Sequence, residues 1–360
     1  MSRAGRGVLI MAGGTGGHIF PGLAVAQQLI ENGVTVRWLG ARGGMECEQV
    51  PAAGIAIDVV DISGLRGKGL KQWLSLPWRL LRAVSQAFRV LGSQRPSCAI
   101  SFGGYAAGPG GLAARLRGIP LLVHEQNRVP GMTNRYLARL SSKVLQAFPG
   151  TWEEKLQAVS CGNPVRRAVV ELSAPAERLA GREGPVRILL TGGSQGALAL
   201  NRMLPAALGL LESRDFDVRH QAGRRWADET RAAYDEAGVT AEVSEFIADM
   251  AAAYAWADIV VCRAGALTVS EIAAAGVAAV LVPFPHAVDD HQTRNAEFLV
   301  EAGAAVLLPE STLDQQVLAD TLAGLIDDDA RRGDMAMAAR SKAVPDSARR
   351  VAAMCMEYAQ

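Results

Sequence analysis

The sequence predicts an α/β protein composed of two doubly wound domains that face one cleft. Short apolar runs alternate with helix-like segments throughout the 360 residues. The runs are continuously apolar, which is typical of strands in a parallel sheet that helices cover on both faces. Glycine-rich turns at 13–17 and 192–197 each follow such a run and open a helix-like segment. Because this arrangement occurs twice, about half a chain apart, we predict two similar halves.

Each glycine-rich turn has the chemistry of a phosphate site. A helix that begins directly after a glycine loop presents backbone N–H groups and the positive end of its dipole to an anion. In doubly wound sheets, ligands bind beyond the carboxyl ends of the strands, which is where both turns lie. We therefore expect a phosphate-bearing substrate between the two halves.

The apolar runs predict the strands in chain order. In the first half they are Val8–Ala12, Val34–Gly40, Ile55–Ile62, Cys98–Phe102, Leu121–His124 and Val144–Ala147. In the second half they are Val186–Thr191, Val218–Gln221, Ile259–Cys262, Ala279–Pro283 and Ala304–Leu308.

A short Gly/Asn/Pro break at 161–164 predicts the domain boundary. We assign residues 1–163 to the first domain and 164–340 to the second. The helix-rich segment 341–360 follows the last predicted strand, and we expect it to return to the first domain.

The composition is that of an ordinary soluble globular protein, with 49% hydrophobic and 20% charged residues. Its five cysteines are scattered without a Cys-x-x-Cys pair, which argues against a disulfide framework or a thiolate zinc site and suits a reducing cytoplasm. The N-terminus lacks the apolar core of a secretory signal. The uncharged stretch 96–114 is too rich in glycine and proline to predict a spanning helix.

The formal net charge of +1 conceals a strong asymmetry. Residues 1–163 contain 18 Lys and Arg against 8 Asp and Glu, giving +10, whereas residues 164–360 contain 19 against 28, giving −9. Between Asp61 and Glu125 there are nine basic residues and no acidic one. This segregation indicates an anionic surface or ligand for the first half only.

The segment 65–91 has an amphipathic pattern at helical spacing. Its apolar stripe is Leu70, Trp73, Leu74, Pro77, Leu80, Leu81, Val84, Phe88 and Leu91, and its other face carries Lys71, Ser75, Arg79, Arg82, Gln86 and Arg89. One interpretation is a surface helix whose stripe packs on the sheet. The other, which we favour, is contact with an anionic membrane, since each basic residue near such a leaflet contributes about 1 kcal/mol.

The two common nucleotide-binding motifs are excluded. In a dinucleotide fingerprint that begins at Gly14, the third glycine would fall on Ile19, and the stretch 38–42 at the end of the second strand lacks the acid that holds a ribose. The second loop lacks the Lys-Ser/Thr of a nucleotide-hydrolase P-loop. The glycine loops therefore predict phosphate or pyrophosphate binding of another kind.

Polar side chains follow several predicted strands of the first half. His18 begins a helix beside the first glycine loop, and a positive dipole end would lower its pKa and favour the neutral form that accepts a proton. Tyr105 lies in the segment 102–109, and four hydrogen-bonding side chains occupy 124–127. Such groups suit a hydroxyl-rich ligand, although buried polar clusters at strand ends are often structural.

In the second half, the candidate functional residues are concentrated in the segments 262–271 and 283–295. Glu271 lies one turn into a helix that follows a strand. It either complements the helix dipole or binds the two ribose hydroxyls of a nucleotide, with Gln292 and His291 near the sugar.

Eight short motifs occur in order from Gly13 to Ala296. They are GGTGGHIFPGLAVA, GGYAAGP, HEQN, GNPVR, GGSQGA, FIADM, RAGALTVSE and HQTRNA. Together they resemble the MurG family of bacterial peptidoglycan synthesis. The resemblance implies the two-domain GT-B fold and an inverting transfer of N-acetylglucosamine from UDP-GlcNAc to the C4 hydroxyl of the muramoyl sugar in lipid I, which gives lipid II.

The resemblance also implies roles for individual residues. His18 corresponds to the general base and Tyr105 and Glu125 lie in acceptor-side motifs, so these three are our candidate catalytic residues. Glu271 would bind the ribose, and the backbone at Ile247 would contact the uracil. The expected donor contacts are Thr15, Gly16, Gly17, Asn127, Arg166, Ser194, Ile247, Ala266, Leu267, Thr268, Val269, Ser270, Glu271 and Gln292.

We predict that the reaction needs neither a metal nor another cofactor, because the chain has no Asp-x-Asp motif of the kind that holds Mg²⁺ at a nucleotide; the run 327–329 is a contiguous acidic stretch. The implied partners are UDP-GlcNAc, lipid I, an anionic membrane surface and other cell-wall synthesis proteins, with no nucleic acid. The expected location is the cytoplasmic face of the bacterial inner membrane, as a peripheral protein.

Two alternatives stay open at this point. A UDP-GlcNAc 2-epimerase shares the two-domain architecture but gives no reason for the basic amphipathic segment. A non-catalytic sugar-nucleotide-binding protein would tolerate the loss of His18, whereas a transferase would not.

Overall fold

The computed structural model of the chain describes residues 7–63, 76–193, 197–211 and 213–359. These residues form two compact units. Unit 1 contains the chain up to Arg166 together with the segment from Val344 onwards, and unit 2 contains Arg167–Ala343. Each unit has its own parallel sheet and its own hydrophobic core, so the predicted α/β class is confirmed.

The sheet of unit 1 has seven parallel strands. They are β1 (Gly7–Ala12), β2 (Thr35–Ala41), β3 (Ala56–Val60), β4 (Cys98–Gly103), β5 (Leu121–Glu125), β6 (Lys143–Gln146) and β7 (Val159–Ser160). Their order in space is β3-β2-β1-β4-β5-β6-β7. The strand order therefore reverses between β1 and β4, and the crevice at such a reversal is where doubly wound sheets bind ligands.

The sheet of unit 2 repeats this plan with six parallel strands. They are β8 (Val186–Thr191), β9 (Phe216–Gln221), β10 (Glu242–Ser244), β11 (Ile259–Cys262), β12 (Ala278–Leu281) and β13 (Ala305–Leu307). Their order is β10-β9-β8-β11-β12-β13, so the reversal lies between β8 and β11. The two glycine-rich turns follow β1 and β8, one at each reversal.

Helices connect the strands in both units. They are α1 (Gly16–Glu31), α2 (Glu46–Ala52), α3 (Leu76–Gln94), α4 (Ala107–Leu116), α5 (Met132–Leu137), α6 (Arg167–Val170), α7 (Pro175–Leu179), α8 (Leu198–Gly209), α9 (Ala227–Glu236), α10 (Met250–Trp256), α11 (Ala266–Ala275), α12 (His291–Val300), α13 (Gln315–Ile326), α14 (Asp329–Ser341) and α15 (Ser347–Tyr358). Short 3-10 turns lie at Glu154–Leu156, Val288–Asp290 and Glu310–Thr312.

Each face of the sheet in unit 1 has its own core, because successive side chains of a strand point to opposite faces. Ile10 and Ile100 pack with side chains of α1 and α15 on one face. Leu9 and Ala99 pack with side chains of α3 and α4 on the other. The last helix, α15, packs against α1 and buries Cys355 in the first of these cores.

Two edge strands, β7 and β10, were not among the predicted strands. They have only two and three residues, and their side chains are exposed or half-buried. A strand at a sheet edge does not need a continuous apolar run, so the pattern that found the central strands could not find these.

The interpretation that packs the apolar stripe of segment 65–91 on the protein is confirmed only in part for its described portion, α3. Leu91 of the stripe is buried, together with two small residues outside the stripe, Ala83 and Ala87. Trp78 and Leu81, in contrast, are 74% and 63% exposed. The short alanine side chains let α3 lie close to α4, and the larger apolar residues therefore face outward. The remaining predicted members of the two faces, at 70–75, lie outside the described residues.

The basic face of α3 is partly turned toward the body of unit 1. Gln86 donates to Asp61 Oδ2 at 2.7 Å and accepts from the Asp61 N–H at 2.8 Å. Arg82 also pairs with Asp61, at 3.2 Å. Hydrogen bonds from Arg42 and Gln86 lower the pKa of the Asp61 carboxyl. Among the described residues, none of the helices is long and apolar enough to cross a membrane.

Candidate functional site

The loops that follow β1 and β4 touch at the reversal point of unit 1. Gly104 has a φ of +91°, and a Cβ at that position would collide with the carbonyl group of Gly13. The ring of Tyr105 lies 4.0 Å from the position that a Cβ on Gly14 would occupy. Only glycine permits this backbone approach, which brings Tyr105, 48% exposed, beside the first glycine loop.

A buried carboxylate holds the first glycine loop from inside the protein. Glu46 is fully buried, and it accepts from the N–H of Gly14 at 3.1 Å and from the N–H of Ala41 at 2.8 Å. A buried carboxylate needs such charge-assisted hydrogen bonds to offset its desolvation. The N–H group of Gly14 in the predicted phosphate loop therefore already has an acceptor. Glu46 was not among the residues predicted from the sequence.

His18 lies in the first turn of α1 and its ring packs over Gly103. A Cβ on Gly103, whose φ is +101°, would come within 3.2 Å of the imidazole Cε1. The ring Nδ1 lies 3.0 Å from the side-chain oxygen of Gln126. The carbonyl of Thr15, the residue before α1, accepts from the backbone N–H of His18 at 3.1 Å. The half-buried imidazole is therefore fixed in position while part of it remains accessible.

Glu125 is buried, and both of its carboxylate oxygens bind the following loop. Oε1 accepts from the backbone N–H and the side-chain amide of Asn127, at 3.0 and 3.1 Å. Oε2 accepts from the N–H of Gly131 at 3.1 Å and from Asn134 Nδ2 at 3.0 Å. With four donors on one carboxylate, the geometry favours a role in shaping this loop and in placing Asn127.

Asn134 is a functional-site residue that the sequence analysis missed. It lies on α5, is 2% exposed, and also donates to the carbonyl of His124 at 3.0 Å. Its side-chain oxygen accepts from Ser101 on β4 at 2.9 Å. Asn134 thereby ties the ends of β4 and β5 together, and it lies outside every quoted motif.

Arg166 lies at the end of unit 1 with its guanidinium carbon 5.1 Å from the centre of the Phe20 ring. Phe20 is on α1, two residues after His18. This contact places the positive charge of Arg166 on the α1 side of unit 1, where cation–π attraction helps to orient it.

In unit 2 the reversal point lies between β8, which Gly192 and Gly193 follow, and β11, which precedes α11. Gly193 has a φ of +73°, and its carbonyl accepts from Gln221 Nε2 at 3.0 Å. Ser194 lies outside the described residues. The predicted donor contacts at 266–270 form the first turns of α11, after Gly265 as its N-cap.

Glu271 lies on α11 and is 2% exposed. The hydroxyl of Tyr254 on α10 lies 3.3 Å from Glu271 Oε2, and donates to it. A dipole-complementing acid needs no such burial, so the arrangement favours the interpretation of Glu271 as a preorganised acceptor.

The loop after β12 is hydrogen-bonded to the start of α12. Gln292 Oε1 accepts from the N–H of Phe284 at 2.9 Å. Buried Asn295 donates to the carbonyl of Ala264, after β11, at 3.2 Å. Ile247 is half-buried in the turn after β10. Within unit 2, hydrogen bonds therefore join α12 to the segments that follow β11 and β12, and α11 and α12 carry half of the predicted donor contacts.

The acidic run 327–329 has structural partners. Asp327 pairs with Arg214 at 2.7 Å, and this contact lowers the pKa of the Asp327 carboxyl. Asp328 accepts from the N–H of Arg331 at 2.9 Å as the N-cap of α14, and Asp329 pairs with Arg332. Across the described ranges, no group of three potential metal-ligating side chains occurs.

Comparison with known proteins assigns the family. The model of the glycosyltransferase family 28 N-terminal domain matches residues 8–146, and that of the C-terminal domain matches residues 187–351. A curated protein from Xanthomonas campestris pv. campestris (strain 8004) is 58% identical over 98% of this chain and 82% of its own length. It is named UDP-N-acetylglucosamine--N-acetylmuramyl-(pentapeptide) pyrophosphoryl-undecaprenol N-acetylglucosamine transferase. The chain belongs to the MurG family.

Further relatives agree with this assignment. A protein of the same name from Marinobacter nauticus is 53% identical over 98% of both chains. The crystal structure of Acinetobacter baumannii MurG has a TM-score of 0.84 and 41% identity, covering 98% of this chain and 99% of that one. The match confirms the expected GT-B fold of the MurG family.

The 2-epimerase alternative is not favoured by these comparisons. A UDP-GlcNAc 2-epimerase from Neisseria meningitidis, bound to UDP-GlcNAc, has a TM-score of 0.69 but only 14% identity. It covers 98% of this chain and 100% of its own. That likeness shows a shared fold alone, whereas the MurG relatives share the sequence along almost the whole chain.

Proposed function

We propose that this MurG-family protein transfers N-acetylglucosamine from UDP-GlcNAc to the C4 hydroxyl of the muramoyl sugar in lipid I, with inversion, and so forms lipid II. The observation that carries the proposal is the position of His18 beside a glycine loop, at the reversal point of a sheet, in a chain closely related to transferases of that name. Unit 1 receives the acceptor and unit 2 the donor.

The donor is held mainly by groups of unit 2, with further contacts from unit 1. Glu271 accepts from the ribose hydroxyls, and the backbone at Ile247 contacts the uracil. The remaining donor contacts are Thr15, Gly16, Gly17, Asn127, Arg166, Ser194, Ala266, Leu267, Thr268, Val269, Ser270 and Gln292. The diphosphate binds N–H groups of the second glycine loop and the positive N-terminal end of α11.

The transfer step follows from the chemistry of these groups. The C4 oxygen of the acceptor attacks the anomeric carbon of GlcNAc as the bond from that carbon to the UDP oxygen breaks. The proton of the C4 hydroxyl passes to the imidazole of His18 as its O–H bond breaks, and UDP leaves with the bonding electrons. Negative charge grows on the diphosphate in the transition state, where Arg166, Ser194 and backbone N–H groups stabilise it, so the transfer requires no metal.

Two further candidate residues act on the acceptor side. Tyr105 is exposed beside the first glycine loop, where its ring and hydroxyl are available to the muramoyl sugar. Glu125 acts through the loop that its carboxylate holds, since it accepts from both the backbone N–H and the side-chain amide of Asn127 in that loop.

We further propose that α3 places unit 1 on an anionic bilayer, at the cytoplasmic face of the inner membrane. Trp78 and Leu81 are the most exposed large apolar side chains of this helix. Phe88, 37% exposed, is covered on one side by the guanidinium of Arg117, 3.7 Å from its ring centre. Exposed Trp and Leu beside arginines are typical of helices that lie in a membrane interface. This surface would bring unit 1 to a lipid-linked acceptor.

The proposed transfer is tested by incubating the pure protein with labelled UDP-GlcNAc and a short-chain lipid I analogue in the presence of a chelator. We expect a labelled disaccharide product with a β linkage. The absence of product from a folded protein that binds UDP-GlcNAc would favour the non-catalytic alternative. A product that forms only after Mg²⁺ is restored would show that the transfer is metal-dependent.

A further inference from the structure

We infer that Gln126 and His124 are positioning residues that fix the tautomer of His18, so that Nε2 of His18 is the nitrogen that accepts the proton. The inference rests on the proposed function, because it concerns how the proposed base is held. It is carried by a chain of three contacts: His18 Nδ1 to Gln126 Oε1 at 3.0 Å, Gln126 Nε2 to His124 Nδ1 at 3.1 Å, and His124 Nε2 to the carbonyl of Gly162 at 3.0 Å.

The positions of the hydrogen atoms in these three contacts follow from the contact at Gly162. The carbonyl oxygen of Gly162 can only accept, so Nε2 of His124 must carry a hydrogen. His124 is fully buried, and burial lowers its pKa to about 4. The ring is therefore neutral near pH 7, and its other nitrogen, Nδ1, has no hydrogen and accepts.

The orientation of the Gln126 amide follows from two acceptors. Its Nε2 faces Nδ1 of His124 and also the carbonyl oxygen of His124, at 3.0 Å. Both of these atoms require a donor, so the amide nitrogen points to His124 and the amide oxygen points to His18. Gln126 is 1% exposed, and water therefore cannot readily replace either contact.

The tautomer of His18 is then determined. Gln126 Oε1 can only accept, so the hydrogen of the neutral imidazole is on Nδ1 and the lone pair is on Nε2. Within the part of the chain that the structure describes, Nε2 of His18 has no hydrogen-bond partner. When His18 takes the substrate proton, the Nδ1–H bond to Gln126 is retained and continues to orient the ring, as an orienting partner does in a catalytic triad.

Gly162, which accepts the last hydrogen bond of this series, is itself held in place. Gly162 has a φ of +77°, and its Cα packs so closely on Val344 that a Cβ would collide with that side chain. The next carbonyl along the chain, that of Asn163, accepts from Ser347 at the start of α15 at 2.9 Å. The carbonyl that orients His124 is therefore held by two segments of unit 1.

The first test is the tautomer of His18 in the wild-type protein, measured by ¹⁵N NMR of labelled histidine at pH 8 and assigned with His18→Ala. We expect a protonated Nδ1 and an unprotonated Nε2. The reverse assignment would overturn the inference. This measurement does not depend on catalysis, so it remains decisive if the proposed transfer is not observed.

The second test is the Gln126→Met variant, which keeps the side-chain volume but removes both hydrogen-bonding functions. We expect kcat to fall by about 10- to 100-fold, the range seen when a partner that orients a metal-binding histidine is removed, with the Kd for UDP-GlcNAc within about twofold of wild type. The His18 signals should show a mixture of tautomers. Unchanged kcat together with an unchanged tautomer would contradict the inference.

Gln146→Met is the matched control. Gln146 is also a buried glutamine at the end of a strand in unit 1, and its side chain bonds Ser160 and the backbone of Trp152. We expect it to lower thermal stability without changing the His18 tautomer. An equal loss of kcat and an equal tautomer change in both variants would contradict the inference, because the effect would then follow from the loss of any buried glutamine in unit 1.

A third variant separates orientation from packing through the pH profile. Gln126→Glu keeps an acceptor for the Nδ1–H of His18, but its carboxylate stabilises the imidazolium. We expect the acid limb of the kcat/KM profile to move to higher pH by about one unit or more, since a nearby opposite charge shifts a pKa by about 1–3 units. An unshifted acid limb in an active Gln126→Glu enzyme would show that residue 126 does not contact the base.

Discussion

Glu46 and Glu125 are buried carboxylates that bind loops of unit 1 through backbone and amide N–H groups. The sequence motif identified Glu125 as a candidate catalytic residue, but it gave no information on the four donors around it. Glu46 belongs to no quoted motif, and its partner in the glycine loop, Gly14, is distant in sequence. The burial and the hydrogen-bond partners of a residue depend on the tertiary fold. The sequence could therefore indicate Glu125 but not Glu46, and it could predict the role of neither.

Gln126 shows the same limit for a residue inside a recognised motif. The HEQN block predicted a cluster of hydrogen-bonding groups for a sugar, whereas His124 bonds Gln126 and Gln126 bonds His18. A strand end alternates its side chains between the two faces of the sheet, and only the structure shows which of them reach the ligand side.

Glu271 provides a prediction at this scale. Glu271→Gln keeps an acceptor for Tyr254 but removes the charge, so we expect it to weaken binding of UDP and UDP-GlcNAc alike. The expected loss is roughly 10- to 100-fold, because hydrogen bonds to charged groups contribute about 1.5–3 kcal/mol. Isothermal titration with both ligands measures it.

Glu301→Gln, near the exposed end of α12, is the control for Glu271→Gln and should bind both ligands normally. Retained UDP affinity in Glu271→Gln would show that Glu271 does not bind the ribose.

At the scale of elements, the central strands were predictable because burial on both faces demands continuous apolar runs. The predicted and observed bounds of the strand at 186–191 are identical, and so are those of the strand at 259–262. The edge strands β7 and β10 were missed because an edge lacks this requirement. The buried face of α3 was predicted only in part, since Leu91 of the stripe is buried but Ala83 and Ala87, whose packing hydrophobicity underestimates, are buried with it.

The exposed face of α3 gives a prediction for membrane binding. The double variant Trp78→Ser and Leu81→Ser should weaken binding to phosphatidylcholine vesicles that contain phosphatidylglycerol by at least about tenfold. Burying each large apolar side chain contributes about 1.5–3 kcal/mol, and the variant loses this contribution. Vesicle sedimentation at fixed ionic strength measures the change.

The control for the α3 variant changes unit 2. Leu210 and Met337 are 47% and 49% exposed, so Leu210→Ser with Met337→Ser removes comparable apolar surface from unit 2. It should sediment as wild type. If both double variants partition equally with vesicles, α3 is not the membrane-binding surface.

At the scale of the whole molecule, each unit contains one fully or almost fully buried histidine. His124 in unit 1 has its pKa lowered to about 4, and His220 in unit 2 has its pKa lowered to about 3, in both cases chiefly by burial. His220 is held between Tyr234 and Asn201, at 3.0 Å from each. Both rings are therefore neutral in the folded protein near pH 7.

These histidines predict acid sensitivity of both units. Because an unfolded histidine has a pKa of about 6.5, the unfolded chain binds more protons than the folded one below that pH. Stability should therefore fall as the pH drops from about 6.5 toward 4, by about 2 kcal/mol per histidine at pH 5. Calorimetric unfolding between pH 7.5 and 5 measures this decrease.

His220→Gln should flatten the pH dependence of the transition that belongs to unit 2 and leave that of unit 1 unchanged. A stability that stays constant or increases between pH 6.5 and 5 would contradict the neutral, buried state of these rings.

We propose a division of labour in which unit 2 supplies most contacts to the sugar nucleotide and unit 1 supplies the base. The most direct measurement determines, for His18→Ala, both the Kd for UDP-GlcNAc and the rate of disaccharide formation with the lipid I analogue. We predict a Kd within about twofold of wild type and a rate lower by ~10²–10⁴, the range for loss of a general base. A wild-type rate in this variant would contradict the assignment of His18 as the base.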